Sequence, residues 1–279
     1  TDDSCDLTRE YLQEHDVEVI ELSYIIDDVV YKAYDKTPKE FYQFLRDGKM
    51  PVTAQVNIED ARAFMEPFVK EGKDVLYIAF SSGLSGTCNS AMTAAADLRE
   101  EYPGRDVMVV DSLAASMGQG FIIRKAIEQR DAGEPMAEIA KWVVDNRDKV
   151  VHMVAVEDLM HLHRGGRVSR MSAIAGSMLG IKPIIHLDVD GKLKVIDKVR
   201  GRKQALLDVI AKTEKRVGAV PNDFFMVSHA DCLEDAQFVA EEVSKRTGIK
   251  DYMINYIGPV IGSHTGLGVI ALFMLGDYK

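Results

Sequence analysis

The sequence predicts an α/β chain in two parts. Residues 1–160 form a domain built on a parallel sheet, and residues 161–279 an α+β domain with a largely antiparallel sheet. Three observations carry this. Through the first part, short apolar runs rich in β-formers alternate with segments whose apolar residues recur every three or four positions, as buried strands and amphipathic helices do. Near residue 160 the pattern changes at a glycine-rich basic loop, His163-Arg164-Gly165-Gly166-Arg167-Val168-Ser169. Beyond it, Asp190-Gly191 between two apolar runs is a hairpin signal, and hairpins mixed with helices imply an antiparallel sheet.

Taken in order, residues 7–14 read as a short helix and 17–22, which alternate, as a strand. Pro38 opens a helix that ends near Gly48, residues 51–55 read as a loop, and 58–70 as a helix with Ala61, Phe64, Met65 and Phe68 on one stripe. Residues 75–80 are an unbroken apolar run, the mark of a strand buried on both faces. A helix follows, with Leu84, Cys88, Ala91, Ala95 and Leu98 at helical spacing. A strand over 107–110 ends in Asp111-Ser112, a helix contains Gly118 and Gly120, a further helix covers 137–147, and a strand 150–156. In the second part, strands are expected at 181–188, 192–197, 223–229, 251–257 and 267–275, with helices at 206–217 and 235–247. A glycine-rich turn spans 258–266.

Composition excludes several classes. With 279 residues, 47% of them hydrophobic, the chain can build one large or two ordinary domains. Lys plus Arg total 34 against 44 Asp plus Glu, a net charge of -10 without a basic run, which argues against nucleic-acid or anionic-membrane binding. Cys5, Cys88 and Cys232 are too scattered for a disulfide framework or a zinc site. The longest apolar run, 269–275, is far short of a membrane span, and no signal peptide opens the chain, so a cytoplasmic protein is expected. The polar opening Thr1-Asp2-Asp3-Ser4-Cys5-Asp6-Leu7 is of the kind that follows a strand, and a first strand is expected before Thr1.

The chemistry concentrates in Ser81-Ser82-Gly83-Leu84-Ser85-Gly86-Thr87, a strand-to-helix turn at the carboxyl end of a parallel strand, where ligands of open α/β sheets collect. A capped helix start explains one Ser and one Gly of this turn, but not the whole cluster. A serine nucleophile elbow would read Gly-x-Ser-x-Gly, and the closing glycine is missing. A nucleotide loop would need a following Gly-Lys-Ser/Thr, which is also missing. An anion seat made of hydroxyls and backbone N–H groups at a helix N-terminus is the best of these readings. His264, in the glycine-rich turn, is expected at a sheet end. His161 and His163 have metal-like spacing without a supporting ligand set, and Arg164 and Arg167, which flank two glycines, could hold an anion or tie the domains to nearby carboxylates, the structural reading being the favoured one. Met153, Met160, Met171 and Met178 read as core.

These motifs together resemble a known family. The opening resembles its Thr-Asp-Ser start, and 81–87 its central motif. Asp111-Ser112, Arg164-Gly165-Gly166-Arg167, Lys182-Pro183-Ile184, Arg200-Gly201-Arg202 and Gly262-Ser263-His264-Thr265-Gly266 follow in the family order. The chain resembles, over essentially its whole length, the DegV family of fatty-acid-binding proteins, the FakB-type partners of bacterial fatty acid kinase. The resemblance implies two domains holding one long-chain fatty acid between them, with no further cofactor and no catalysis by this chain itself. Thr53 and Ser85 would grip the carboxylate, with Gly86 in the same turn and His264 nearby. A separate kinase would phosphorylate the carboxylate to an acyl phosphate for phospholipid synthesis, and Arg200 would contact that kinase. Thr53-Ala54-Gln55-Val56 departs from the family's Thr-Ser-Gln-Pro at its second and fourth positions. The competing reading is a serine esterase or acyltransferase using Ser85 and His264.

Overall fold

The computed structural model describes residues 1–169 and 180–278. A short 3-10 turn, Asp3–Cys5, leads into helix α1, Arg9–Glu14. The strand expected over 17–22 is absent. Ile20 makes only an isolated parallel bridge to Asp2, and the Asp3 carboxylate accepts the Leu22 N–H at 2.6 Å in place of a strand partner. The regular strands come next, β1 (Ser23–Ile26) and β2 (Val29–Lys32), joined by Asp27 and Asp28 at φ 49° and 65°. Two successive positive φ values are the signature of a tight hairpin turn. Helix α2, Pro38–Arg46, is closed at its start by a capping box between Thr37 and Glu40. The expected loop at 51–55 is partly a strand, β3 (Val52–Ala54), which pairs with β1 and sets Thr53 opposite Tyr24.

Helix α3 (Ile58–Lys70) and helix α4 (Thr87–Glu101) cover the parallel pair β4 (Val75–Ala79) and β5 (Val107–Asp111). Helices α5 (Met117–Asp131) and α6 (Met136–Asn146) follow.

The larger sheet has six strands: β6 (Val150–Ala155), β7 (Ile181–Leu187), β8 (Leu193–Arg200), β9 (Phe224–His229), β10 (Asp251–Tyr256) and β11 (Ile270–Leu275). Their order is β10-β9-β11-β6-β7-β8, and only β9 and β10 run parallel. Here β6 departs from the sequence reading, which grouped it with the first sheet. It is a central strand of the second, so a division of the chain at residue 160 separates it from its sheet neighbours.

Side-chain alternation sorts the sheet into two faces. Ile270, Leu272 and Met274 of β11 join a core under helices α8 (Arg202–Val217) and α9 (Leu233–Thr247), while Ala271 and Phe273 join the core shared with α5. Between β6 and β7 lies the short helix α7, Met160–Arg164. The glycine-rich turn expected at 258–266 is mostly a helix, α10 (Pro259–Thr265), with Pro259 in its first turn, where no N–H is needed. Met153 is fully buried and Met160 packs on the core shared with α5, whereas Met171 and Met178 lie outside the described residues.

Candidate functional site

The serine-rich turn is held from behind by the start of the chain. Asp2, fully buried, accepts the Phe80 N–H at 2.9 Å and the Tyr77 hydroxyl at 3.2 Å. It is held from the front by the β7–β8 hairpin, since Ser81 Oγ donates to the Gly191 carbonyl at 2.8 Å. A side chain at Gly83 would come within 2.5 Å of the Asp190 carbonyl oxygen, so only glycine permits this approach.

Every N–H group of the turn is already bonded within the protein. Ser81 donates to Ala114, Leu84 and Ser85 to the Ser81 carbonyl, Ser82 to Asp111 and Gly83 to Ser81 Oγ. Gly86 donates to Gln55 Oε1 at 3.1 Å, and Thr87 to Ser85 Oγ at 3.2 Å. The expectation of a seat built from these amides, Gly86 included, therefore shifts onto side chains. Gly86 serves instead as the point where Gln55 closes on the turn: a Cβ there would stand 2.2 Å from Gln55 Oε1.

Thr53, Ser85 and His264 line one cavity of about 420 Å³. Thr53 Oγ1 lies 2.8 Å from His264 Nε2, and Ser85 Oγ lies 3.0 Å from Thr87 Oγ1. Burial, and then the nearby Arg167 guanidinium, lower the His264 pKa to about 4, so the ring is neutral at neutral pH. Away from this polar end the lining is mainly apolar, with Phe80, Val154, Ile185, Leu187, Ala271 and Phe273. The cavity thus lies between the inner face of the six-stranded sheet and the turn. At its wall Ser116, held at φ 54°, bonds to the buried Asp6 carboxylate, which also accepts the Gly258 N–H at 2.9 Å. Burial raises the Asp6 pKa to about 7.

A polar clamp at one end of an apolar cavity suits an amphiphile with one small anionic group. The family model that matches, over residues 1–277, is described as "Uncharacterised protein, DegV family". The chain belongs to the DegV family. A DegV domain-containing protein of Clostridium perfringens is 41% identical to it over 282 residues, covering 100% of this chain and 97% of the relative. Among solved structures, a stearic-acid-binding protein of Eubacterium ventriosum superposes with a TM-score of 0.89 at 27% identity, covering 99% of this chain and 97% of the other. DegV of Bacillus subtilis, a fatty acid binding protein, does so at 0.85 and 29%, with the same coverage.

Within this DegV chain the sequence reading underweighted one site residue and missed another. Arg167 has two readings in the sequence, an anion contact or a tie to carboxylates, and the tie is the favoured one. Its Nε does tie the basic loop to the Leu84 carbonyl at 3.2 Å, but no carboxylate pairs with it among the described residues, and its guanidinium lines the cavity. Gln55 could have been noticed, because it and Thr53 are the two residues of this loop that keep the family pattern. Val56, where the family pattern has proline, is buried and donates its N–H to Thr87 Oγ1 at 3.3 Å, a bond proline cannot make. Arg200 is exposed at the end of β8 and does not line the cavity. Among the described residues no cluster of His, Cys, Asp and Glu could hold a metal ion, and no helix is long and apolar enough to cross a membrane.

Proposed function

We propose that this protein is a cytoplasmic fatty-acid carrier, holding one long-chain fatty acid with its tail against the six-stranded sheet and its carboxylate at Thr53, Ser85 and His264. The observation that supports it best is the pair of hydroxyls, each with a partner behind it and a hydrogen to offer forward. A neutral His264 protonated on Nε2 donates to Thr53 Oγ1, which frees the Thr53 hydrogen for a carboxylate. Ser85 Oγ accepts from the Thr87 N–H, and with the Thr87 hydroxyl also donating to it, its own hydrogen is free. Arg167 supplies positive charge. Burying the tail contributes about 0.8 kcal/mol per methylene, so the tail supplies most of the affinity and the polar end fixes orientation.

A carrier of this form leaves the carboxylate in place for a separate fatty acid kinase. There a carboxylate oxygen would attack the γ-phosphorus of ATP, the bond to ADP would break, and an acyl phosphate would result for phospholipid synthesis. Arg200, exposed beyond the cavity, is the residue we assign to contact with that kinase. The esterase alternative is weakened by geometry: His264 Nε2 is bonded to Thr53, not Ser85, and among the described residues no carboxylate pairs with the ring as a triad would require.

Native mass spectrometry of freshly purified protein, followed by lipid extraction, tests the carrier reading. One fatty acid per chain is expected. A protein that emerges empty and gains no thermal stability from any common fatty acid would overturn it. Arg200→Ala should retain its lipid but yield acyl phosphate more slowly with the kinase and ATP. Lipid loss in that variant, with unchanged turnover per bound lipid, would remove the kinase assignment.

A further inference from the structure

A second pocket, of about 230 Å³, backs onto the first. The two share Thr53, Arg167 and His264, which form the wall between them. The outer pocket opens beside the exposed side chains of Met50, Val52 and Arg164. His161 and Arg164 project into it from one face of α7, three residues apart. The fit is tight where it matters. A Cβ at Gly165 would stand 2.2 Å from His264 Nδ1, and one at Gly266 would stand 2.7 Å from the His161 ring.

No Asp or Glu lines this pocket, and neither Arg164 nor Arg167 has a carboxylate partner among the described residues. In a chain with 44 acidic residues against 34 basic ones, two neighbouring arginines with no carboxylate partner among the described residues suit a negative charge from outside, and only Arg167 also faces the carboxylate seat. Burial is the larger influence on both imidazoles, and a neighbouring guanidinium acts in the same direction on each. Burial and then Arg164 lower the His161 pKa, against a smaller opposing effect of Asp158, and burial and then Arg167 lower that of His264.

The geometry points to an oxyanion site: the outer pocket binds a phosphate group, with Arg164 and His161 on one side and Arg167 on the wall facing the carboxylate seat. Guanidinium groups bind phosphate oxygens bidentately, and a phosphate near pH 7 carries more charge than a carboxylate. Free inorganic phosphate is one source. The other is the phosphoryl end of an acyl phosphate whose chain fills the first cavity, and only that source rests on the function proposed above.

Arg164→Gln separates these possibilities, because Arg164 is exposed, has no ion-pair partner among the described residues and lies outside the carboxylate seat; an unchanged urea midpoint checks that the variant folds. Titrating inorganic phosphate while observing the His161 ring by NMR should give saturable shifts in the parent protein, weakened about tenfold or more in Arg164→Gln. No saturable shift, or equal affinity in the variant, overturns the site. In a second arm, a long-chain fatty acid is compared with the acyl phosphonate of the same length. The parent should favour the phosphonate about tenfold or more, and the variant should bind both alike. A phosphonate preference that survives in Arg164→Gln overturns the acyl phosphate as the pocket's source. A parent that titrates with phosphate but binds neither acyl ligand upholds the oxyanion site and overturns the carrier reading instead.

Discussion

His264 is the residue whose behaviour tests the polar end of the cavity most directly. Its folded pKa of about 4 lies below the ordinary value of 6.5. As pH falls from 6.5 toward 4, the unfolded chain takes up a proton that the folded one refuses, so the ring's contribution to stability is present above that window and is lost on descending through it. A carboxylate bound beside the ring opposes Arg167 and favours the charged imidazole, so the pKa should rise when fatty acid binds. Binding then takes up protons, and affinity should increase as pH falls below the pKa of the bound state. An NMR titration of the His264 ring, empty and loaded, checks this; identical midpoints would place the carboxylate elsewhere. Hydrogen bonds to a charged group contribute roughly 1.5–3 kcal/mol, so Thr53→Val and Ser85→Ala should each lower fatty-acid affinity about tenfold or more. Calorimetric titration of delipidated variants measures it, and parent-like affinity in both would remove the hydroxyls from the seat.

Among the elements, the short strand β3 and the loop after it show what pattern reading can and cannot supply. Residues 51–55 carry a proline and too few apolar positions to read as a strand, yet β1 offers an edge, and pairing with it holds Thr53 in register opposite Tyr24. An edge contributed by a distant strand leaves no local trace. The same blindness applied to β6, whose apolar run identified a strand but not the sheet it would join. Val56 shows the opposite case, a departure from the family pattern whose consequence becomes readable once its partner is seen. Val56→Pro restores the family residue, so the backbone should accept it, but it deletes the N–H that reaches Thr87. Loss of that one bond should cost about 1 kcal/mol in a urea denaturation series. No change, or a gain, would show that loop stiffness outweighs the bond.

At the scale of the whole molecule, the hydrophobic patterns foretold the strands and helices of both parts, but residues 269–275 are all apolar, so only the structure sorts those of β11 between the two cores. The cavity was not legible, for a physical reason. Val154, Ile185, Ala271 and Phe273 lie on three different strands, and nothing in an apolar pattern distinguishes a side chain facing a void from one facing a neighbour. Ala271 is the small residue among them, near the start of the interior strand β11, with its side chain on the cavity face. Ala271→Leu should place extra apolar volume where the tail of a ligand would lie. Filling empty apolar space improves the packing of the unliganded protein, so its unfolding temperature should stay level or rise. The same change should abolish the stabilisation that fatty acid gives the parent. Thermal unfolding with and without fatty acid reads both effects at once. A variant that stays stable and still gains the full ligand shift would mean that the chain does not lie against this sheet, and the carrier would have to hold its tail elsewhere.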